Sequence, residues 1–546
     1  MNFPISRRSF LLIVLAVLVI WFGNLEYRKL VQTDEGRYAE IPREMVASGD
    51  WVTPRLNDFK YFEKPPLQYW ATALAYEVFG EQQWTSRLWT ALTGFAGILL
   101  TWFAGSRLFG REAGAYAALI SASSMLYVLM GHINTLDMGV TFFITLGIFS
   151  LLIAQKEQQP AQRRNWMWLA WAGMALAVLS KGLMGLILPG AALFLYSIFN
   201  RDLTIWKRMH WVSGIVVFLL FAAPWFVLVM RANPEFFDFF FIHEHLQRFT
   251  SKVHGRYQPW HYFVPILLLG MLPWTLLMFT AVAKAWQSGA AKLFSAQRFL
   301  LVWVLFIYLF FTASGSKLAS YLLPMVPPLA LLIGQHLTTI SARRVFWLVF
   351  PVLFVVMLFL VLLPFTDRLA GNALEQEMFG RYAWWLVASM LIWLLGIVVS
   401  LWRLWRNDKP RGLIVLAIAS LLAAQIGITG YNELARNRSA YQMAEVIKPH
   451  VKPEVPFYSI YMYEQTLPFY IKHTLLLVNY QDEMAFGIRQ EPQRWIPDMA
   501  AFVAAWKDQS EALAIIPQTR FTELQAQTIN MQEIYRDELY VVVKKI

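Results

Sequence analysis

Long apolar runs constrain this chain more than any other feature of its sequence. A helix needs about 20 mostly apolar residues to cross a bilayer. Runs of that kind lie at roughly 9–26, 87–107, 113–132, 138–154, 166–180, 184–199, 211–231, 262–283, 299–313, 322–340, 345–365, 383–402 and 412–431. They predict an α-helical polytopic membrane protein with about thirteen transmembrane helices. Composition agrees, since only 15% of the residues are charged and 58% are hydrophobic, against about 25% charged in soluble domains. Cysteine is absent, which excludes disulfides, thiolate catalysis and cysteine metal sites.

The basic clusters fix a topology. Arg7-Arg8, Arg107 with Arg111, Lys156 with Arg163-Arg164, Lys207-Arg208, Lys284 to Arg298, Arg343-Arg344 and Arg403 to Arg411 all fall on the side of the N-terminus. Lysine and arginine concentrate in cytoplasmic loops, so the N-terminus is expected inside, and the segments 27–86, 232–261 and everything after about 432 outside. No small-residue cleavage site follows the run Phe10 to Phe22, so it reads as an uncleaved first helix. The net charge of +12 serves topology and attraction to anionic headgroups. Membrane lipids, not nucleic acid, are the partners it implies.

Two domains are expected: a transmembrane domain over 1–431, with outer loops 27–86 and 232–261, and a soluble α/β domain over 432–546. Ile41 to Val46 is amphipathic, which suggests short helices lying in the membrane interface. Beyond Tyr431, Pro456 to Tyr461, Leu475 to Val478 and Leu539 to Val543 read as strands, and Phe502 to Trp506 as part of a helix.

Ionisable residues are nearly absent from the runs and gather at their outer ends. Asp34 and Glu35 follow the first span, with Arg37 and Lys64 as nearby opposite charges; a carboxylate there is either a solvated loop residue or a general base. In Glu63-Lys64-Pro65-Pro66 the prolines fix the backbone beside Lys64, a cation for phosphate or a snorkelling side chain. His132, Asn134 and Asp137 are functional groups or helix caps. Lys181 before Gly182 binds phosphate or caps its helix. Lys317 and Tyr321 reach a headgroup, or Tyr321 belongs to the aromatic belt. His243, Glu244 and His245 lack the i,i+4 spacing of a helical zinc pair. This set suits group transfer from a lipid phosphate better than ion transport, which needs charge deep within spans.

Asp34-Glu35-Gly36-Arg37-Tyr38-Ala39-Glu40, Met45 to Trp51 and Tyr61-Phe62-Glu63-Lys64-Pro65 together resemble the polyprenol-phosphate-sugar-dependent membrane glycosyltransferases of the GT-C type, relatives of the protein O-mannosyltransferases. Among these the chain is most similar to the bacterial lipid A aminoarabinose transferases, with Glu244 to Phe249 and Ser316 to Tyr321 strengthening the match. The resemblance implies transfer of 4-amino-4-deoxy-L-arabinose from undecaprenyl phosphate to lipid A on the periplasmic face of the inner membrane. It implies Asp34 as the essential acid, Lys64 and Arg248 as cations on the donor phosphate, and Asp137 and Tyr321 as cavity-lining residues. It places Glu63 and His245 near a divalent ion, zinc or similar. Arg37, Lys181 and Lys317 complete the expected phosphate- and lipid-binding set, and Asp137 joins Asp34 as a catalytic candidate. The other readings are transfer of a different sugar to a lipid, glycan or protein, and a non-catalytic lipid transporter. The expected cavity has the segment 27–86 as one wall and the segments 132–137, 243–248 and 316–321 as the others.

Overall fold

Every apolar run holds helix, but not every helix is a full span. The computed structural model describes residues 7–247, 257–287, 294–527 and 529–546. Among them, 8 helices are long and apolar enough to cross a membrane, or 9 if the pair Trp260–Gly270 and Thr275–Gln287, bent by 109°, counts as one span. The remaining runs hold shorter or more charged helices. Leu11–Phe22 and Met184–Asn200 are apolar but shorter, the run 113–132 is divided into Arg111–Ser123 and Met125–Met130 by an extended Ser124, and Pro160–Lys181 begins among Arg163 and Arg164.

The chain forms two units: Met1–Leu25 with Arg87–Tyr431, and Glu26–Ser86 with Asn432–Ile546. The boundary at Tyr431 falls where composition changes, but the loop 27–86 groups with the C-terminal segment instead of with the helices expected to carry it.

In the helical unit the hairpin of Leu136–Lys156 and Pro160–Lys181 is drawn together by two glycines. A Cβ on Gly173 would lie 2.8 Å from the Gly147 nitrogen, and one on Gly147 would lie 2.4 Å from the Met174 methyl. Small residues allow such backbone approach, which is how apolar helices associate without a hydrophobic drive between them. Because the two helices run antiparallel, Asp137 in the first turn of one and Lys181 in the last turn of the other lie at the same end.

In the second unit a six-stranded sheet has the order β5-β4-β3-β6-β8-β7, with β3 Phe457–Ile460, β4 Leu476–Val478, β5 Trp495–Ile496, β6 Leu513–Pro517, β7 Met531–Arg536 and β8 Tyr540–Lys545. A short hairpin, β1 Arg55–Leu56 with β2 Phe59–Lys60, precedes it. The expected strands coincide with β3, β4 and β8, and the expected helix lies within Met499–Asp508. Tyr458, Ile460, Phe502, Trp506, Ile516, Val541 and Val543 form the core. β3 runs parallel to both β4 and β6, so the winding reverses beside β3. Loops leaving the carboxyl ends of strands at such a reversal are where open α/β sheets bind ligands. Here Tyr461 to Leu467 after β3 lies at the reversal, and Asn479 to Met484 after β4 leaves the same edge one strand away.

Helix Asp34–Ser48 packs against Leu67–Phe79 and the short helix Leu467–Ile471. It is not the amphipathic interfacial helix anticipated: every residue from Glu35 to Met45 is buried. Its charges are satisfied internally, since Arg43 Nε donates to Glu40 at 2.7 Å and the Glu44 carboxylate accepts the Asn57 and Asp58 N–H groups at 2.5 and 2.8 Å. Gly49 ends the helix at φ 71°, donating to the Met45 carbonyl at 2.9 Å.

Candidate active site

The first turn of Asp34–Ser48 brings acid and base together. Asp34 at the helix N-terminus complements the dipole, and its half-exposed carboxylate lies 3.5 Å from Arg37, one turn on. The opposite arm of the guanidinium pairs with Glu483, delivered by the loop after β4. Gly36 makes the approach possible, because a Cβ there would lie 2.5 Å from the Gln465 carbonyl oxygen in the loop after β3. Gln465 donates its amide to Glu483. The guanidinium also faces the Tyr38 and Tyr61 rings at 5.9 and 5.7 Å.

Electrostatics follow from this crowding. Burial lowers the Arg37 pKa, yet the acids beside it, Glu483 and Glu63, outweigh it and keep the guanidinium charged. Burial pushes Glu483 up to about 7; Arg37 opposes the rise, while Glu63, Asp482 and Asp34 add to it. Burial likewise pushes the Tyr61 and Tyr69 hydroxyls upward, so both stay protonated. Arg37 Nε and the Tyr61 and Tyr69 hydroxyls are buried without hydrogen-bond partners among the described residues. Unpaired buried donors are costly, so each of these atoms carries an unmet demand for an acceptor.

Glu63 and Lys64 end the segment before Pro65-Pro66. Lys64 Nζ donates to the Glu63 carbonyl at 2.8 Å and lies 3.8 Å from its carboxylate. Glu63 thus stands beside a cation. Among the described residues no group of three or more His, Asp or Glu side chains converges as a metal-ligand set. The side chain of His245 and the whole of Arg248 lie outside the described residues. Of the pair expected near an ion, Glu63 is thus the one whose side chain is described, and its neighbour is Lys64.

In the helical unit Lys181 Nζ pairs with Asp137 Oδ1 at 2.5 Å and lies 5.4 Å from the centre of the Tyr321 ring. Gly182, at φ 82°, caps the helix through its own N–H on the Val178 carbonyl at 2.8 Å, which leaves the lysine to the carboxylate. Lys317 is placed differently from the expectation of a headgroup contact. It is buried and donates to the Gln258 carbonyl at 2.9 Å, tying down its own loop. His132 is also buried, with its ring nitrogens 2.6 and 2.7 Å from the Val128 and Trp21 carbonyl oxygens, a tie between helices. His243 stacks on Phe239 at 5.3 Å.

The structure therefore joins Asp34 to Arg37 and Glu63 to Lys64 in one unit, and Asp137 to Lys181 and Tyr321 in the other. Sequence reasoning passed over Glu483, Gln465 and Tyr69, and took Tyr61 only as part of a motif. Glu483 carried one legible signal: it follows an expected strand at the edge where α/β sheets place functional loops.

Comparison with known proteins agrees with this organisation. The aminoarabinose transferase C-terminal domain matches residues 443–545, and the dolichyl-phosphate-mannose-protein mannosyltransferase family matches residues 63–227. The crystal structure of ArnT from Cupriavidus metallidurans bound to undecaprenyl phosphate is 37% identical and superposes with a TM-score of 0.94, covering 99% of each chain. The undecaprenyl phosphate-alpha-4-amino-4-deoxy-L-arabinose arabinosyl transferase 1 of Proteus mirabilis is 34% identical over 355 residues, 63% of this chain and 62% of its own. Matches to two Aeromonas relatives each span 58% of the relative's length, so the first curated relatives are covered over less than two thirds. An oligosaccharyltransferase of Archaeoglobus fulgidus, 12% identical at a TM-score of 0.50 over 96% of this chain and 72% of its own, shares the fold alone.

The helical membrane unit and the sheet-bearing unit are those of a membrane glycosyltransferase of the GT-C fold. Within that type, the near-complete match at 37% identity settles the family. The chain belongs to the aminoarabinose transferases.

Proposed function

We propose that this protein transfers 4-amino-4-deoxy-L-arabinose from undecaprenyl phosphate to a phosphate of lipid A. The observation that carries the reading is the match over 99% of both chains to a transferase solved with undecaprenyl phosphate. The basic loops support an N-terminus in the cytoplasm and reaction on the periplasmic face of the bacterial inner membrane.

The physics of the transfer suits the residues present. A polyprenyl phosphate departs as an anion without needing a proton, so the demand is for positive charge where that anion grows. Lys64, stiffened by Pro65 and Pro66, supplies it as a point charge. Arg37 is held charged and presents an unpaired buried Nε. A lipid A phosphate attacks without a base, so Asp34 orients groups and balances charge at the sugar, where positive character develops. In the helical unit, Asp137 holds Lys181 in one position beside Tyr321 for a lipid phosphate.

Mass spectrometry of lipid A from cells with and without the gene tests the reading. Aminoarabinose-modified species are expected only with the gene. An unchanged profile while the protein is being made would remove lipid A as the acceptor.

A further inference from the structure

Gln465 belongs to a turn whose construction exceeds what a connection requires. The Glu464 carboxylate, 1% exposed, accepts the Thr466 and Leu467 N–H groups at 2.8 and 2.7 Å and the Thr466 hydroxyl at 2.9 Å. That hydroxyl oxygen in turn accepts the Ala440 N–H at 2.8 Å. The turn is thereby fixed from both sides, and it presents one side chain, that of Gln465, to Glu483. Gln465 is 2% exposed, and its amide oxygen has no partner among the described residues. Only the NH₂ group can face a carboxylate favourably, so the nitrogen is the end in contact.

Glu483 otherwise faces Arg37 and Asp34 from the helix, Glu63 and Tyr61 from the segment before the prolines, Tyr463 from the loop after β3, and Asp482 and Tyr480 from its own loop. Of these neighbours Arg37 is a cation, while Asp34, Glu63 and Asp482 are acids. The Gln465 amide is thus a second donor that favours a carboxylate at this position.

From this geometry we propose that Gln465 is a positioning residue: its amide holds the Glu483 carboxylate against Arg37 and favours its ionised form. The role rests on the transferase reading above. In that reading it makes the sheet-bearing domain responsible for the orientation of the Arg37 fork, and so for which oxyanion the fork can take.

The test uses full-length protein in detergent with Gln465→Met, Glu483→Gln and the double variant. Gln465→Met keeps the bulk and removes the donor. The limb of the pH–rate profile that vanishes in Glu483→Gln is expected to move up by about one pH unit in Gln465→Met, with kcat/KM near neutrality reduced about tenfold. In the Glu483→Gln background, adding Gln465→Met should change kcat/KM by less than about twofold. An equal loss in both backgrounds, or an unmoved limb, overturns the proposal and leaves the transferase reading standing. If wild-type protein transfers no sugar, that reading falls, while infrared difference titration of the Glu483 carboxyl still decides the positioning role: an identical titration in wild type and Gln465→Met overturns it. Should Gln465→Met misfold, Gln465→Glu sets a carboxylate against Glu483 and must move its titration further upward; no movement overturns the proposal.

Discussion

Lys181 Nζ lies 2.5 Å from Asp137 Oδ1, joining the two ends of a helical hairpin whose arms meet at Gly147 and Gly173. Both side chains are mostly buried, at 22% and 14% exposure. Removing one partner leaves a lone charge in a poorly solvated place, which sets the cost between that of a surface pair and that of a fully buried one, at about 2 kcal/mol. Asp137→Asn and Lys181→Ala should each lower the unfolding midpoint and reduce transfer more than tenfold. Combining them should recover most of the stability and none of the activity. Recovery of both would make the pair purely structural.

Asp34 presents the contrasting case. Its carboxylate is half exposed and 3.5 Å from Arg37 within the same helix turn, a geometry worth less than about 1 kcal/mol. Asp34→Asn should therefore leave insertion and thermal unfolding nearly unchanged while reducing transfer by at least about a hundredfold, the scale of a lost group beside a developing charge. Wild-type turnover in Asp34→Asn would remove the residue from the chemistry.

For Lys64 the expectation is a binding defect. Its ammonium already donates to the Glu63 carbonyl at 2.8 Å, so its position is set before any donor arrives. Lys64→Ala should weaken donor affinity about tenfold or more, the worth of one charge-assisted contact to phosphate. Titration with undecaprenyl phosphate is the measurement, and unaltered affinity would exclude the contact.

What could be read from the chain depended on how local its cause was. The apolar runs and three of the strands are short-range patterns: the runs hold helices, though 8 or 9 spans and not about thirteen, and the strands coincide with β3, β4 and β8. Asp34 with Arg37 and Glu63 with Lys64 were legible because both pairs are close in sequence. Glu483 and Gln465 were not, since their meeting with Arg37 depends on strand order in a sheet that no periodicity reveals. The burial of Asp34–Ser48 was missed for a related reason. An alternation of charge and apolar residues suggests an exposed face, and only tertiary structure shows Glu40 and Arg43 satisfying each other inside. Lys317 is a further instance, since its partner, the Gln258 carbonyl, is a backbone atom that no side-chain pattern marks.

Stability should depend on pH through Glu464. Burial pushes its carboxyl up to about 7 from an ordinary value of 4.5, although the Thr466 and Leu467 donors pull the other way. A carboxyl raised on folding holds its proton more tightly in the folded state than in the unfolded one. Its stabilising effect is complete below the unfolded value and is lost as pH rises through about 7. Glu483, also raised to about 7, acts with the same sign. The unfolding midpoint of the intact protein should therefore fall between about pH 5 and about pH 8. Glu464→Gln retains an oxygen to accept the turn's N–H groups but cannot ionise, so it should flatten part of that slope, with the remainder reporting Glu483. Parallel curves for wild type and Glu464→Gln would show that Glu464 titrates alike in the folded and unfolded chain, and the turn that presents Gln465 would then owe nothing to a retained proton.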